Sequence, residues 1–228
     1  SQRFKLVCYD QMGCGESASL KDARYTMKNE VDCLENLRKE LGLGKINLFG
    51  ESWGSMLALL YATSYPERVN KIVLTAAIGV SSEGYITFSK ELENRLSNED
   101  KIQLSYLERK LKNGDSTIEE IFSVLDRYYV YSEQSLMRKH RTSMNTTVNE
   151  EIGEDIIQNY DLTQSIDKIK NIPILIAQGS HDILTPDLIK RLLLDYIPHA
   201  VLVEIEECGH WTVVEKPEQI NRVVNDFF

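Results

Sequence analysis

Ile46-Asn-Leu-Phe-Gly-Glu-Ser-Trp-Gly-Ser-Met-Leu-Ala-Leu-Leu60 is the stretch whose reading decides the fold. Ile46 to Phe49 reads as a short buried strand and Met56 to Ala62 as a helix, with Ser52 at the sharp turn between them. Glycine two before and two after a serine has a physical reason. The turn forces the serine into a strained backbone conformation, and side chains at Gly50 or Gly54 are expected to collide with the neighbouring strand and helix. The strain lifts Oγ clear of the backbone, and the new helix aims its N–H groups and positive dipole end at the same point. At ordinary residue usage chance gives about 0.08 such Gly-x-Ser-x-Gly matches in a chain of this size. The spacing alone is therefore weak, and strand before with helix after is what gives it weight. The plainer reading, a serine that only caps a helix, explains neither glycine.

Outward from this turn, strands and helices alternate. Upstream, Arg3 to Tyr9 reads as a strand and Asp10-Gln-Met-Gly-Cys-Gly-Glu-Ser17 as a glycine-rich loop. Thr26 then reads as an N-cap, with Val31, Leu34 and Leu41 forming a helical stripe that stops at Gly42. Downstream the helix ends at Tyr65-Pro66 and Lys71 to Ala76 is another strand. The alternation resumes late in the chain: strand Ile174 to Ala177, helix Pro186 to Tyr196, strand Val201 to Ile205, and helix Pro217 to Phe228 with proline at its start. Such a pattern specifies an α/β domain with a mostly parallel sheet covered by helices on both faces.

Between Gly79 and Lys170 the character changes. Ser97-x-x-Asp100 and Thr117-x-x-Glu120 are capping-box patterns. Leu104, Leu107 and Leu111 follow the first at helical spacing, and Ile118, Ile121, Phe122 and Leu125 follow the second. The segment reads as several short helices inserted into the α/β domain. The expected organisation is a core of residues 1–78 and 171–228 with a helical cap over 79–170.

The bulk composition narrows the function classes. Lys plus Arg is 26 against 35 Asp plus Glu, a net charge of −9, which argues against a nucleic-acid partner and mildly favours cationic or neutral ligands. No apolar run reaches a membrane span, so no membrane partner is expected. Cys8, Cys14, Cys33 and Cys208 are scattered without C-x-x-C spacing, which reads as reduced thiols in a cytoplasmic protein.

A serine hydroxyl needs a histidine base, and the base needs a carboxylate to hold its tautomer. His210, in Glu206-Glu-Cys-Gly-His-Trp211, follows the last strand at its carboxyl end, where ligands gather in open α/β sheets. His140 lies in the insertion, His199 precedes its strand, and His181 is not after the last strand. Asp182, in Gln178-Gly-Ser-His-Asp-Ile-Leu-Thr-Pro186, is the expected acid, with Asp161 the alternative; Asp187 reads as a helix cap. The catalytic set is then Ser52, Asp182 and His210, with the Trp53 backbone N–H as one oxyanion donor. Gly13-x-Gly15-x-x-Ala18 also fits the G-x-G-x-x-A pattern of dinucleotide binders, but residues 21–26 stand between it and the next helix, where a pyrophosphate would have to meet the helix start. No metal site is expected, because the Cys and His residues do not cluster, and no cofactor.

With these residues on the page, the chain resembles the α/β-hydrolase superfamily and, within it, the proline iminopeptidase-like serine peptidases. The matching stretches are Tyr9-Asp-Gln-Met-Gly-Cys-Gly-Glu-Ser17, Gly50 to Tyr61, Tyr65-Pro-Glu-Arg-Val69, Gly179-Ser-His-Asp182 and Cys208-Gly-His210. The resemblance implies the Ser-Asp-His triad above, a lid over the pocket, and removal of an N-terminal residue, often proline, from short peptides. A small-molecule carboxylesterase of the same fold is the alternative, and a non-catalytic binding relative or truncated fragment a third. The expected partner is a short peptide or a small ester or amide, with a homo-oligomer left open. Glu51 stands where such peptidases usually have glycine; beside the nucleophile it would either favour a substrate ammonium group or serve as an internally hydrogen-bonded structural group. Relative to the family, residue 1 falls three positions before what resembles the fourth strand of the sheet. The expectation is therefore that the N-terminal strands of the fold, and the glycine-rich loop giving the second oxyanion donor, are missing from this sequence.

Overall fold

In Ile174–Gly179 all six residues are buried, and in Val69–Thr75 five of seven are. Runs with no exposed side belong to strands covered on both faces. In the computed structural model, which describes residues 4–19, 24–140 and 145–228, these two are the middle of a four-stranded sheet. β1 (Ile46–Glu51), β2 (Val69–Thr75), β3 (Ile174–Gly179) and β4 (Val201–Ile205) lie side by side in sequence order. Every neighbouring pair is parallel: Glu51 lies opposite Thr75, Thr75 opposite Ala177, and Gly179 opposite Ile205. The carboxyl ends of all four strands therefore share one edge.

Successive residues of the central strands feed opposite faces, as the pleat requires. Ile72, Leu74, Ile174 and Ile176 join the larger apolar cluster, with Leu59, Tyr61 and Ala62 of α2 (Trp53–Ser64). Val73, Leu175 and Ala177 join a smaller one on the other side, sealed by Ile220, Val223 and Phe227 of the last helix (Pro217–Phe227). α1 (Met27–Glu40) packs on α2 through a buried polar clasp. Arg38 donates to both oxygens of Glu35 at 2.8 and 2.9 Å, and the Tyr61 hydroxyl donates to the same carboxylate at 2.7 Å. The Arg38 guanidinium holds the Glu35 carboxyl down at about 2, with Tyr61 adding to the effect against burial.

Residues between β2 and β3 form α3 (Ser82–Arg95), α4 (Asn98–Lys112), α5 (Ile118–Leu125) and α6 (Thr146–Asn159), joined by short 3₁₀ turns. Thr117 makes the full capping box with Glu120, and the Ser97 hydroxyl accepts from the Asp100 N–H at 3.1 Å. After β3, α7 (Pro186–Ile189) runs on into a π-helical turn, Lys190–Leu194, so the expected helix over 186–196 is present but not regular. Its cap is Thr185, whose hydroxyl accepts from the Leu188 N–H, rather than Asp187, which pairs with Lys190. α8 (Thr212–Glu215) and α9 (Pro217–Phe227) complete the chain. No helix among the described residues is long and apolar enough to cross a membrane.

One expected element is absent. Phe4 to Tyr9 forms no strand, and Arg3 lies outside the described residues. Leu6 is 73% exposed, and the segment pairs with none of the four strands. High β-propensity in Phe-Lys-Leu-Val-Cys-Tyr marks a sequence that fits a pleated surface, but a strand exists only where a neighbour supplies the ladder. Phe4 instead sets its ring edge-on against Phe228, 6.1 Å between centroids.

Candidate active site

β1 ends at Glu51 and α2 begins at Trp53, so Ser52 alone makes the turn. Its backbone has φ 53° and ψ −118°, a region that non-glycine residues rarely occupy. Two contacts hold it there: the Ser52 N–H donates to Thr75 O at 3.1 Å, and its carbonyl accepts from the Ser55 hydroxyl at 2.6 Å. Gly50 is required sterically, since a Cβ there would lie 2.1 Å from the Gly54 carbonyl oxygen. Gly54 is not: a Cβ on it meets nothing within 4 Å, so the expected collision applies to only one of the two glycines. The helix-cap reading of Ser52 also fails, because its side chain makes no cap hydrogen bond.

The hydroxyl points elsewhere. Ser52 Oγ lies 2.8 Å from His210 Nε2, and His210 Nδ1 lies 2.9 Å from Asp182 Oδ1. His210 is 1% exposed and Asp182 is fully buried. Ser52 follows β1, Asp182 follows β3 and His210 follows β4, so the shared carboxyl edge of the sheet brings together residues 130 and 28 positions apart in the chain. The spacing between Asp182 and the strand end is fixed by its N–H, which donates to Gly179 O at 3.1 Å. The Phe88 and Tyr129 rings flank the imidazole at centroid distances of 4.8 and 5.4 Å, a dry wall that strengthens each polar contact inside it.

The buried Asp182 carboxylate has every oxygen engaged. Oδ1 accepts the Leu184 N–H at 3.1 Å besides facing the imidazole, and Oδ2 accepts from Gln178 Nε2 at 2.8 Å. Gln178 is itself fully buried; its other donor contact is Leu184 O, and its Oε1 accepts the Ala77 N–H at 2.8 Å. From the other side, Arg95 at the end of α3 donates to the carbonyls of His181 and Asp182 at 2.9 and 2.5 Å. The loop carrying His210 is held just as closely. Tyr129 O accepts from the His210 and Trp211 N–H groups at 2.8 and 3.1 Å. The Glu215 carboxylate accepts from the N–H groups of Gly209, Tyr131 and Ser132 at 2.5, 2.9 and 3.0 Å.

Glu51 sits beside Ser52 but turns into the fold. Its Oε1 accepts from the Thr212 hydroxyl at 2.8 Å and the Val213 N–H at 3.2 Å. Burial pushes its carboxyl up, against the pull of those two donors. Of the two readings open from sequence, the geometry matches the internally bonded one. Trp53 is the first residue of α2, where a backbone N–H has no partner within the helix, and its indole N–H donates to Gln11 Oε1 at 3.1 Å.

That contact explains the glycine-rich loop. Gly13 and Gly15 take φ +74° and +54°, and a Cβ on Gly15 would fall 2.2 Å from the Asp10 carboxylate, which accepts the Glu16 N–H at 3.0 Å. The loop folds on itself through turns, and among the described residues no helix starts before Met27, so the G-x-G-x-x-A match serves a turn rather than a pyrophosphate. The remaining candidates lie apart: His199 Nε2 lies 3.1 Å from Ile172 O, His140 is exposed, and Asp161 accepts the Thr163 N–H. His181 packs against Tyr131 in a tilted contact, 4.5 Å between ring centroids. The supporting residues Gln178, Glu215 and Arg95 are not apparent from sequence patterns. Only Gln178 leaves a trace, as a polar residue in the otherwise apolar strand Ile174-Leu-Ile-Ala-Gln-Gly179.

Comparison with known proteins agrees with this architecture. The profile of the α/β-hydrolase fold matches residues 1–217. A proline iminopeptidase of Lactobacillus helveticus (strain DPC 4571) is 29% identical, the alignment covering 94% of this chain and 76% of the relative. Among solved structures, an α/β fold family hydrolase from Bacillus anthracis str. Sterne superposes with a TM-score of 0.78 at 28% identity, covering 96% of this chain and 80% of that one. A proline iminopeptidase from Mycobacterium smegmatis has a TM-score of 0.69 at 23% identity, covering 96% and 77% of the two chains, and shows the shared fold. The parallel sheet, the serine on its strand-to-helix turn and the profile match lead to one assignment: the chain belongs to the α/β-hydrolase fold family.

Proposed function

We propose that this hydrolase works by acyl transfer through Ser52 and that its substrates are short peptides with a free N-terminus, an N-terminal proline above all. The observation that carries the mechanism is the unbroken relay Ser52 Oγ–His210–Asp182 at 2.8 and 2.9 Å. His210 Nε2 takes the hydroxyl proton as Oγ bonds to the substrate carbonyl carbon, while Asp182 holds the proton on Nδ1 and stabilises the imidazolium. The Trp53 N–H donates to the oxyanion that forms. His210 then returns the proton to the leaving nitrogen, the C–N bond breaks, and water releases the acyl group by the same route.

The substrate class rests on the relatives named as proline iminopeptidases and on the helices over residues 79–170, which act as a cap that excludes folded proteins. The four free thiols fit a cytoplasmic setting. One observation favours a second reading, a small-molecule carboxylesterase: Glu51 Oε1 is already taken by Thr212 and Val213, so at most the other oxygen of this carboxylate is left for a substrate ammonium. Turnover of a prolyl arylamide, its N-acetylated form and a short p-nitrophenyl ester separates the two. Rapid ester cleavage with no turnover of the free-amine amide would replace the peptidase by the esterase. A fluorophosphonate adduct anywhere but Ser52, or unimpaired turnover in Ser52→Ala, would remove the mechanism itself.

A further inference from the structure

We infer that a second, anion-binding pocket lies behind the acid loop and takes small organic carboxylates. A surface cavity of about 400 Å³ is lined by Arg95, Arg127, Tyr128, Tyr131, His181 and Thr185, among others. In a chain of net charge −9, a cavity with two arginines and a histidine in its wall stands out.

The two arginines are not equivalent. Arg127 is neutralised by Asp100, whose carboxylate also accepts the Ser97 hydroxyl at 2.9 Å and the Tyr128 hydroxyl. Arg95 has no carboxylate partner among the described residues. All its contacts are neutral carbonyls: Nη1 to His181 O at 2.9 Å, Nη2 to Asp182 O at 2.5 Å, and Nη2 to Ile183 O at a long 3.5 Å. Among the described residues Nε donates to nothing, and the second contact of Nη2, to Ile183 O, is at the limit of a hydrogen bond, so the guanidinium keeps donor capacity. A guanidinium matches a carboxylate bidentately, with charge-assisted bonds roughly twice as strong as those to carbonyls. Arg95 is also oriented in advance by its two short carbonyl bonds, so little side-chain freedom is lost when an anion arrives.

The rest of the wall selects for an organic body. Tyr131 is 48% exposed, its ring tilted 54° to that of His181 with centroids 4.5 Å apart, and the buried Val130 supplies apolar surface. Ser180 Oγ, 2.8 Å from His181 Nδ1, fixes the imidazole. A flat aryl or alkyl group lying on Tyr131 with its carboxylate on Arg95 uses both features. Ser52 does not line this cavity, so the site is separate from the nucleophile and the inference stands whether or not the proposed peptidase activity does.

Benzoate, neutral benzamide and inorganic phosphate are the probes, observed by saturation-transfer NMR on the whole chain. Benzoate should bind with a millimolar Kd, equally to untreated protein and to protein whose Ser52 has been blocked by a fluorophosphonate. Arg95→Gln should weaken it at least 10-fold while the far-ultraviolet circular dichroism stays native, and Tyr131→Ala should weaken it several-fold without touching the guanidinium. Benzamide should not bind, and phosphate should bind more weakly than benzoate. No benzoate binding, binding lost on blocking Ser52, or equal binding by both variants would overturn the assignment. Phosphate matching benzoate would overturn the choice of an organic carboxylate.

Discussion

Gln178 Nε2 donates to Asp182 Oδ2 at 2.8 Å, and both residues are fully buried. The glutamine is the last residue but one of β3 and the aspartate hangs from the loop three residues beyond that strand, so the bond ties the acid to the rigid sheet. Gln178→Leu should leave Asp182 Oδ2, Leu184 O and the Ala77 N–H without their partners, a cost of about 1–3 kcal/mol for each buried group. If the proposed relay operates, Asp182→Asn should lower kcat by about 10⁴, and because the asparagine NH₂ must face either the Gln178 amide donor or the Leu184 N–H, about 1–3 kcal/mol of stability should go with it. Denaturant unfolding and turnover measured on the same preparations separate the two effects. A Gln178→Leu protein as stable as the parent would show that the glutamine is a bystander.

Glu51 gives a sharper test of substrate recognition. Because Oε1 is the bonded atom, a glutamine at this position can accept the same two hydrogen bonds from Thr212 and Val213. Glu51→Gln should therefore keep the ratio of kcat/KM for a free-amine amide to that for its N-acetylated form within about twofold of the parent; 1.4 kcal/mol of lost ammonium attraction would lower it about tenfold. A selective fall of that size would restore the carboxylate as an amine-binding group.

Much of this was legible beforehand because strong local signals agreed. The glycine at position 50, the apolar run before Ser52 and the helix after it all specify one turn, and His210 and Asp182 each follow a β-branched strand at the same sheet edge. What stayed hidden depends on partners distant in sequence. Phe4 to Tyr9 has strand chemistry but pairs with none of the four strands. Gly54 looks as constrained as Gly50, yet only the three-dimensional approach of α2 to β1 distinguishes them. Arg95, 87 residues from Asp182 in sequence, has no periodicity or spacing that would reveal its grip on the acid loop.

Glu30 predicts an unusual pH dependence of stability. It is fully buried in α1, and among the described residues neither carboxylate oxygen has a well-formed hydrogen bond. Burial pushes its pKa from 4.5 to about 7, partly offset by the nearby Met12 backbone; burial also raises the neighbouring Tyr9, Cys14 and Cys33, and the Glu30 charge adds to it. A folded pKa above the unfolded one means that folding takes up a proton between the two values. Below pH 4.5 both states are protonated and nothing is lost; stability then declines as pH rises to about 7 and levels off. Glu30→Gln removes this titration. The Tm of the variant minus that of the parent should climb between pH 4.5 and 7 and stay constant above. A difference independent of pH would mean that the carboxyl has found a partner in solution.

Glu215 joins the loop of the candidate base to the segment between α5 and α6. One buried carboxylate accepts the N–H of Gly209, next to His210, and those of Tyr131 and Ser132, just beyond the Tyr129 whose carbonyl holds the His210 N–H. Glu215→Ala strands three backbone donors at once, and at about 1–3 kcal/mol per buried group the loss should be on the order of 3–5 kcal/mol after partial rehydration of the two outer ones. Glu215→Gln keeps a single acceptor oxygen. Placed where Oε2 stood it can serve Gly209 and Tyr131, but its NH₂ then faces the Ser132 N–H, so an intermediate loss of about 1–2 kcal/mol is expected. Because the bonds set the height of His210 over Ser52, the rate of fluorophosphonate labelling should fall in the same order at a temperature where all three proteins are folded. Stability that drops while labelling stays at the parent rate would make Glu215 a purely structural brace, and unchanged stability in Glu215→Ala would refute the three-bond arrangement itself.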